Sequence, residues 1–268
     1  MMELAERAEH ELTELVTRYA AAEAEVVRTF FASPRTDEEY LDVVLRQAGR
    51  EAHTALQMTR ALRMLDDMER TVTRHALRDQ MERQADEIKH YTLLADLAEE
   101  LAGKKLSREE LLKYWVFAVY DPVLPRERMY NPNLPEANAA LDFNKRLIEQ
   151  FGWERGRPLT RLAEGGGGGA FVEAMLHRAD AFQERFADAM GEIYVDEVGH
   201  GPEQIHDYAS TRIKSGEQLE EDKRWLTEFL QHHLRVRNEI FRNAMTPERM
   251  AAIDRGEHVQ AVIAPSAH

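Results

Sequence analysis

Apolar residues recur every three or four positions through most of the chain, which predicts a series of amphipathic helices. A first helix over residues 3–32 should end at Ser33-Pro34, because proline restricts the residue that precedes it. A second helix should begin at Thr36, which forms a capping-box sequence with Glu39. Strand-like alternation is nearly absent, so the predicted fold class is all-α.

The same spacing predicts the later helices and the segments between them. Asp66-Asp67 is a turn signal before a helix over residues 69–102. Residues 246–268 are loosely patterned, so they are predicted to form an arm or tail. Four further helices are predicted. One covers about residues 136–151, one begins near Pro158, one begins after an N-cap at Asp180, and one covers about residues 216–244.

A carboxylate interrupts the apolar stripe of the second helix. Val44 and Ala48 are followed on this stripe by Glu51, and a buried carboxylate is costly unless it is paired, protonated or bound to metal. The midpoint between Glu51 and Glu87 is residue 69, close to the predicted turn. An antiparallel helix pair would therefore place both carboxylates at one level.

Two D-E-x-x-H motifs supply the residue types of a metal site. They are Asp86-Glu87-Ile88-Lys89-His90 and Asp196-Glu197-Val198-Gly199-His200. Residues three apart share a helix face, so each glutamate and its histidine can reach one point. Glu164 pairs with Glu197 about a midpoint near Asp180, as Glu51 does with Glu87. Glu203-x-x-His206 is a competing motif, ranked lower because it lacks the aspartate and follows Pro202, although His206 stays open as an additional ligand.

The ordered set of glutamates and E-x-x-H motifs resembles the ferritin-like di-iron carboxylate superfamily over roughly residues 36–212. The resemblance implies a four-helix bundle that holds two Fe ions, with an Fe/Mn or Mn2 pair as alternatives. It implies Glu51, Glu87 and His90 on one metal, and Glu164, Glu197 and His200 on the other. Asp86 and Asp196 would orient the histidine ligands by accepting a hydrogen bond from the ring N–H that does not face the metal.

The expected organisation is a single ferritin-like domain over residues 1–268, with an extra helix at its N-terminus. Its bundle core would comprise residues 36–102 and 158–214, followed by a C-terminal helix and tail over 215–268. A helical insertion over residues 103–157 could cover one end of the bundle, shape a substrate pocket, or be a packing elaboration without a chemical role.

Five consecutive glycines, Gly165 to Gly169, follow Glu164 directly. One interpretation is a flexible linker, since five glycines disfavour a helix by roughly 1 kcal/mol each relative to alanine. The flanking residues are apolar and helical, however, which favours a distorted helix beside the metal centre. On that interpretation residues 158–178 form a mostly continuous helix, and Gly168 and Phe171 line a pocket for substrate or O2.

Composition narrows the possible functions. The chain has no cysteine, which excludes disulfides, thiolate metal sites and cysteine nucleophiles. Its 35 basic and 49 acidic residues give a net charge of −14, which disfavours nucleic acid or an anionic membrane as a partner. No apolar run is long enough to span a bilayer, and no signal-peptide pattern is present, so a soluble, cytoplasmic protein is expected.

The resemblance implies an enzyme, a non-haem di-iron oxidase or oxygenase that uses O2. The insertion, the extra terminal helices and the glycine run favour oxidation of a small organic substrate. Two alternatives stay open: a ferroxidase or iron-storage protein, and a metal-free helical interaction module. No flavin or iron–sulfur motif is present, so electrons would come from a separate reductase or from the substrate. A homodimer is a further open alternative.

Overall fold

The structure is a computed structural model that describes residues 4–55, 65–114, 131–197 and 200–261. Within these ranges it is all-α, with eleven helices and no strand, which confirms the predicted class. None of the helices in the described ranges is both long and apolar enough to cross a membrane. The helices are α1 (Leu4–Phe31), α2 (Asp37–Ala55), α3 (Arg74–Ala102), α4 (Arg108–Leu112), α5 (Pro135–Phe151), α6 (Trp153–Arg161), α7 (Glu164–Leu176), α8 (Ala181–Glu197), α9 (His200–Thr211), α10 (Gly216–Ile240) and α11 (Pro247–Asp254).

The chain divides into two compact units. The hairpin unit is Arg35–Pro135, and the α1 unit combines Met1–Pro34 with Glu136–His268. The two halves of the predicted bundle core, residues 36–102 and 158–214, thus belong to different units. The single ferritin-like bundle stays a prediction.

The hairpin unit is built on α2 and α3, which pack against each other. The predicted capping box starts α2: the Thr36 backbone N–H donates to Glu39 Oε2 (3.0 Å), and the Glu39 N–H donates to Thr36 Oγ1 (3.2 Å). The start predicted for α3 at residue 69 is five residues too early. The backbone carbonyl of Asp67 accepts hydrogen bonds from residues 70, 71 and 72, so the turn extends to the N-cap Thr73. Apolar side chains buried in this unit include Val43, Val44, Ala48, Ala52, Leu94, Leu97 and Ala98.

Helix α1 is the central element of the α1 unit, where it packs against α7, α9 and α10. Its apolar face is buried, and several of its charged residues form polar contacts with other helices. Arg28 binds Glu173 of α7 through two hydrogen bonds, of 3.1 and 2.6 Å. The buried Glu23 accepts from Arg237 Nε of α10 at 2.9 Å. The helix that the sequence analysis placed outside the bundle core therefore organises this unit.

Two predictions about connections in the α1 unit are wrong. The gap predicted between the helix over 136–151 and the helix that begins near Pro158 is filled by α6, because Gly152 alone, with a φ of 71°, leads the chain from α5 directly into α6. Pro158 consequently lies inside α6, and the next helix begins at Glu164 rather than near residue 158. Leu162 and Ala163 form a turn between α6 and α7, so the expected continuous helix over 158–178 is divided there.

Residues 246–261 contain more regular structure than the sequence pattern predicts. Thr246 caps α11, and Pro247 occupies its first turn. Arg249 of this helix donates hydrogen bonds of 2.6 and 2.8 Å to Glu25 of α1. Asp254 accepts from the Tyr19 hydroxyl at 3.1 Å, so polar contacts dock a segment whose apolar pattern is weak.

Candidate metal centre

Three predicted ligands come together between α2 and α3. Glu51, Glu87 and His90 each offer one ligand atom, and these atoms lie within 4.8 Å of one another. Glu87 and His90 share a face of α3 because they are three residues apart. The α2–α3 hairpin brings Glu51 to the same level, as the midpoint at residue 69 predicts.

The three side chains differ in exposure in a way that suits a metal site. His90 is fully buried, Glu51 is 8% exposed, and Glu87 is half-buried. Two ligands are thus held within the hairpin, and the third is reachable from solvent. Carboxylate oxygens and an imidazole nitrogen are donors that suit Fe(II) and Mn(II).

The charge on Glu51 is the strongest chemical feature of the site. Its Oε1 accepts a hydrogen bond from the side-chain amide of Gln47, one helical turn earlier and also buried. Among the contacts of the described residues, Glu51 has no cationic partner. A neutral amide satisfies one lone pair without balancing a charge, and a buried carboxylate is costly unless it is paired, protonated or bound to a metal. The donor set therefore fits a bound divalent cation.

The second half of the predicted ligand set is only partly described. Helix α8 is described up to Glu197 and α9 from His200, and residues 198 and 199 lie outside the described residues. The side chains of Glu164 and His200 also lie outside the described part, whereas those of Glu197, Asp86 and Asp196 are half-buried. Within the described ranges, Glu51, Glu87 and His90 are the one group of three close enough to hold a metal. The ligand roles of Glu164, Glu197 and His200 stay predictions.

Other candidate residues make contacts of their own. His206 is exposed, and its Nδ1 lies 2.9 Å from Glu9 Oε2, so the two side chains form a surface hydrogen bond. The Phe171 ring is buried, with Arg237 Cζ 5.4 Å from its centroid. These two contacts are structural and give no support to the ligand role or the pocket role.

The glycine run lies inside α7, which confirms that it is helical rather than a linker. A Cβ added at Gly169 would lie 2.0 Å from the backbone oxygen of Ala20 in α1. A Cβ at Gly168 would meet Tyr194 Cε2 at 3.8 Å, an ordinary contact. At Gly169, therefore, the glycine serves the close approach of two helices.

The sequence-based prediction missed two glutamines, Gln47 and Gln84. Both are buried, and both lie within four residues of a candidate ligand in the sequence. Gln47 lies four residues before Glu51, and Gln84 lies three residues before Glu87. Either spacing puts the amide on the face of the ligand, and this signal was available.

Comparisons of this chain with protein-family models, with curated proteins and with solved structures gave no match.

Proposed function

We propose that this protein is a non-haem di-iron oxidase or oxygenase that uses O2 to oxidise a small organic substrate. The observation that carries the proposal is the group of Glu51, Glu87 and His90, whose ligand atoms lie within 4.8 Å of one another on two packed helices. The buried charge of Glu51, balanced by no cation among the described residues, supports a metal as the missing counter-charge.

In this proposal Glu51, Glu87 and His90 hold one iron, and Glu164, Glu197 and His200 hold the second. A bound iron pair would supply the two-electron chemistry needed to reduce O2 at carboxylate-rich ligands. The buried residues of the hairpin unit keep His90 away from bulk water. Half-exposed Glu87 lies where a second ion or a substrate can approach.

The decisive experiment is anaerobic loading with Fe(II), followed by measurement of bound iron per chain. Addition of O2 should then change the optical spectrum of the iron-loaded protein. The amount of O2 consumed should be proportional to the amount of organic substrate oxidised. A stoichiometry near two supports the proposal. Growth of a mineral core would instead indicate iron storage, and a protein that retains no metal would indicate a helical interaction module.

Ligand variants locate the metals. Glu87→Ala and Glu197→Ala should each remove most of the bound metal, because each change removes the carboxylate of one of the two E-x-x-H motifs. His200→Ala should lower occupancy more than His206→Ala, which serves as a matched surface control since His206 already pairs with Glu9. Full two-metal binding in both glutamate variants would refute the assignment.

A further inference from the structure

A buried glutamine lies one helical turn before the candidate ligand Glu51. Gln47 is 1% exposed on a stripe of α2 that is otherwise apolar around it, with Val43, Val44 and Ala48 as its buried neighbours. An amide in such surroundings is unfavourable unless it is hydrogen-bonded. The Gln47 side-chain NH2 donates a hydrogen bond to Oε1 of Glu51.

We propose that Gln47 is a positioning residue: it occupies Oε1 of Glu51 and so presents Oε2 to the metal as a single-oxygen ligand. This inference rests on the metal site proposed above. It concerns how that site is shaped, and it assigns a role to a residue outside the ligand set.

The direction of the hydrogen bond follows from chemistry. An ionised carboxylate only accepts hydrogen bonds, so the amide group that faces Glu51 is the NH2 and not the carbonyl. The two residues are four apart in one helix, so the donor and acceptor are held by the same rigid backbone. The carboxylate of Glu51 therefore has its orientation fixed before any metal arrives.

Such an arrangement has two consequences for binding. A pre-oriented ligand loses less conformational freedom when the metal binds, which raises affinity. An oxygen that already accepts a hydrogen bond is also a poorer second donor to the same ion, which limits the coordination number. Removal of a group that orients a ligand typically lowers metal affinity by 10- to 100-fold.

The test uses Co(II), which binds oxygen and nitrogen donors and whose visible absorption weakens as its coordination number rises. Gln47→Met has no amide donor but has a similar volume. It should bind Co(II) on the order of 10–100 times more weakly by calorimetry. Its absorption per bound Co(II) should also fall, because Oε1 of Glu51 becomes available as a second oxygen.

Val44→Ala is the matched control. It loosens packing on the same buried stripe but leaves the Gln47–Glu51 hydrogen bond in place. Its Co(II) affinity should stay within about twofold of wild type, with an unchanged spectrum. Circular dichroism checks that each variant is folded, and Gln47→Leu replaces Gln47→Met if the latter is not.

The outcomes separate the two proposals. If wild type binds Co(II) and the Gln47 variant matches Val44→Ala in affinity and spectrum, the positioning role is wrong while the metal site stands. If wild type binds no Co(II), Fe(II) or Mn(II), the proposed function fails, and the role of Gln47 fails with it.

Discussion

Gly169 offers the sharpest test of how α1 and α7 pack. A Cβ at this position would lie 2.0 Å from the oxygen, 2.5 Å from the carbonyl carbon and 3.0 Å from the Cα of Ala20. All three atoms belong to the backbone of α1, so no side-chain rotation can relieve the contact. Gly169→Ala should therefore force the two helices apart or bend one of them.

The magnitude follows from the distances. Real Cβ atoms essentially never approach a heavy atom within 3.0 Å, so the Ala20 oxygen must move by at least 3.0 − 2.0 = 1.0 Å. A gap of 0.5–1 Å forfeits about a quarter to a half of each dispersion contact that it opens. Overpacked cores typically lose about 1–3 kcal/mol, and a rigid backbone puts this site at the upper end. Alanine recovers about 1 kcal/mol of helix propensity, which leaves a net loss of about 2 kcal/mol or more.

Gly168→Ala is the control because it makes the same substitution one position earlier in the same helix. Its Cβ would meet only Tyr194 Cε2 at 3.8 Å, so the propensity gain should appear undiminished, as about 1 kcal/mol of added stability. Both variants replace glycine with alanine in the same helix, so their changes in helix propensity and in unfolded-chain entropy nearly cancel when their free energies of unfolding are compared. Their difference, about 3 kcal/mol or more, therefore isolates the steric contact with Ala20.

Urea unfolding followed by far-UV circular dichroism gives the free energies, and hydrogen exchange in α1 and α7 shows whether the loss is local to their interface. Faster exchange in both helices of Gly169→Ala, with Gly168→Ala unaffected, is the expected pattern. Equal stabilities within about 0.5 kcal/mol would refute the close approach, because they would mean that the alanine methyl group is accommodated without cost.

Three further predictions concern polar contacts. Burial, assisted by Asp254, raises the pKa of Tyr19 to about 12, so stability should fall between about pH 10 and 12, as the unfolded phenol ionises first. Tyr19→Phe should flatten that part of the curve in urea unfolding, and an unchanged slope would contradict it. Arg237→Met should lower the free energy of unfolding by about 3–5 kcal/mol, because it leaves Glu23 buried without this partner. A second change, Glu23→Met, should recover part of that loss, and no recovery would refute the buried-charge explanation. Thr36→Ala should cost about 1 kcal/mol, seen as faster hydrogen exchange in the first turn of α2, whereas unchanged exchange would mean that the cap is not needed.

Local signals predicted the helices of this protein well. The proline after α1, the capping box at Thr36 and the N-cap Asp180 act within a few residues, so the sequence alone shows them. One error occurred where distant partners decide the structure. Helix α11 is held by the contacts of Arg249 with Glu25 and of Asp254 with Tyr19. Each contact joins residues more than 200 positions apart, and no local sequence pattern predicts such pairs.

The candidate site was predictable to the extent that it lies on one hairpin. Glu51, Glu87 and His90 follow from helical spacing and from the position of a single turn, and the structure brings them together. Glu164 and Glu197 obey the same arithmetic on α7 and α8, which also pack against each other. Joining the two halves in one bundle requires knowledge of how separate helix pairs associate, which depends on surfaces rather than on periodicity.

Departures from local pattern fall into two kinds in this chain, and the difference indicates function. Gly169 breaks the helix preference of α7, but its contact with Ala20 explains it completely as packing. Glu51 interrupts the apolar stripe of α2. Packing does not account for a carboxylate at this position, because a methionine or leucine would fill a similar space without a buried carboxylate. Gln47 deepens the anomaly, since a second polar side chain is buried to orient the first. Buried polar groups at positions where apolar ones would stabilise the fold better are candidates for a chemical role, and the role that we propose for these two is metal binding.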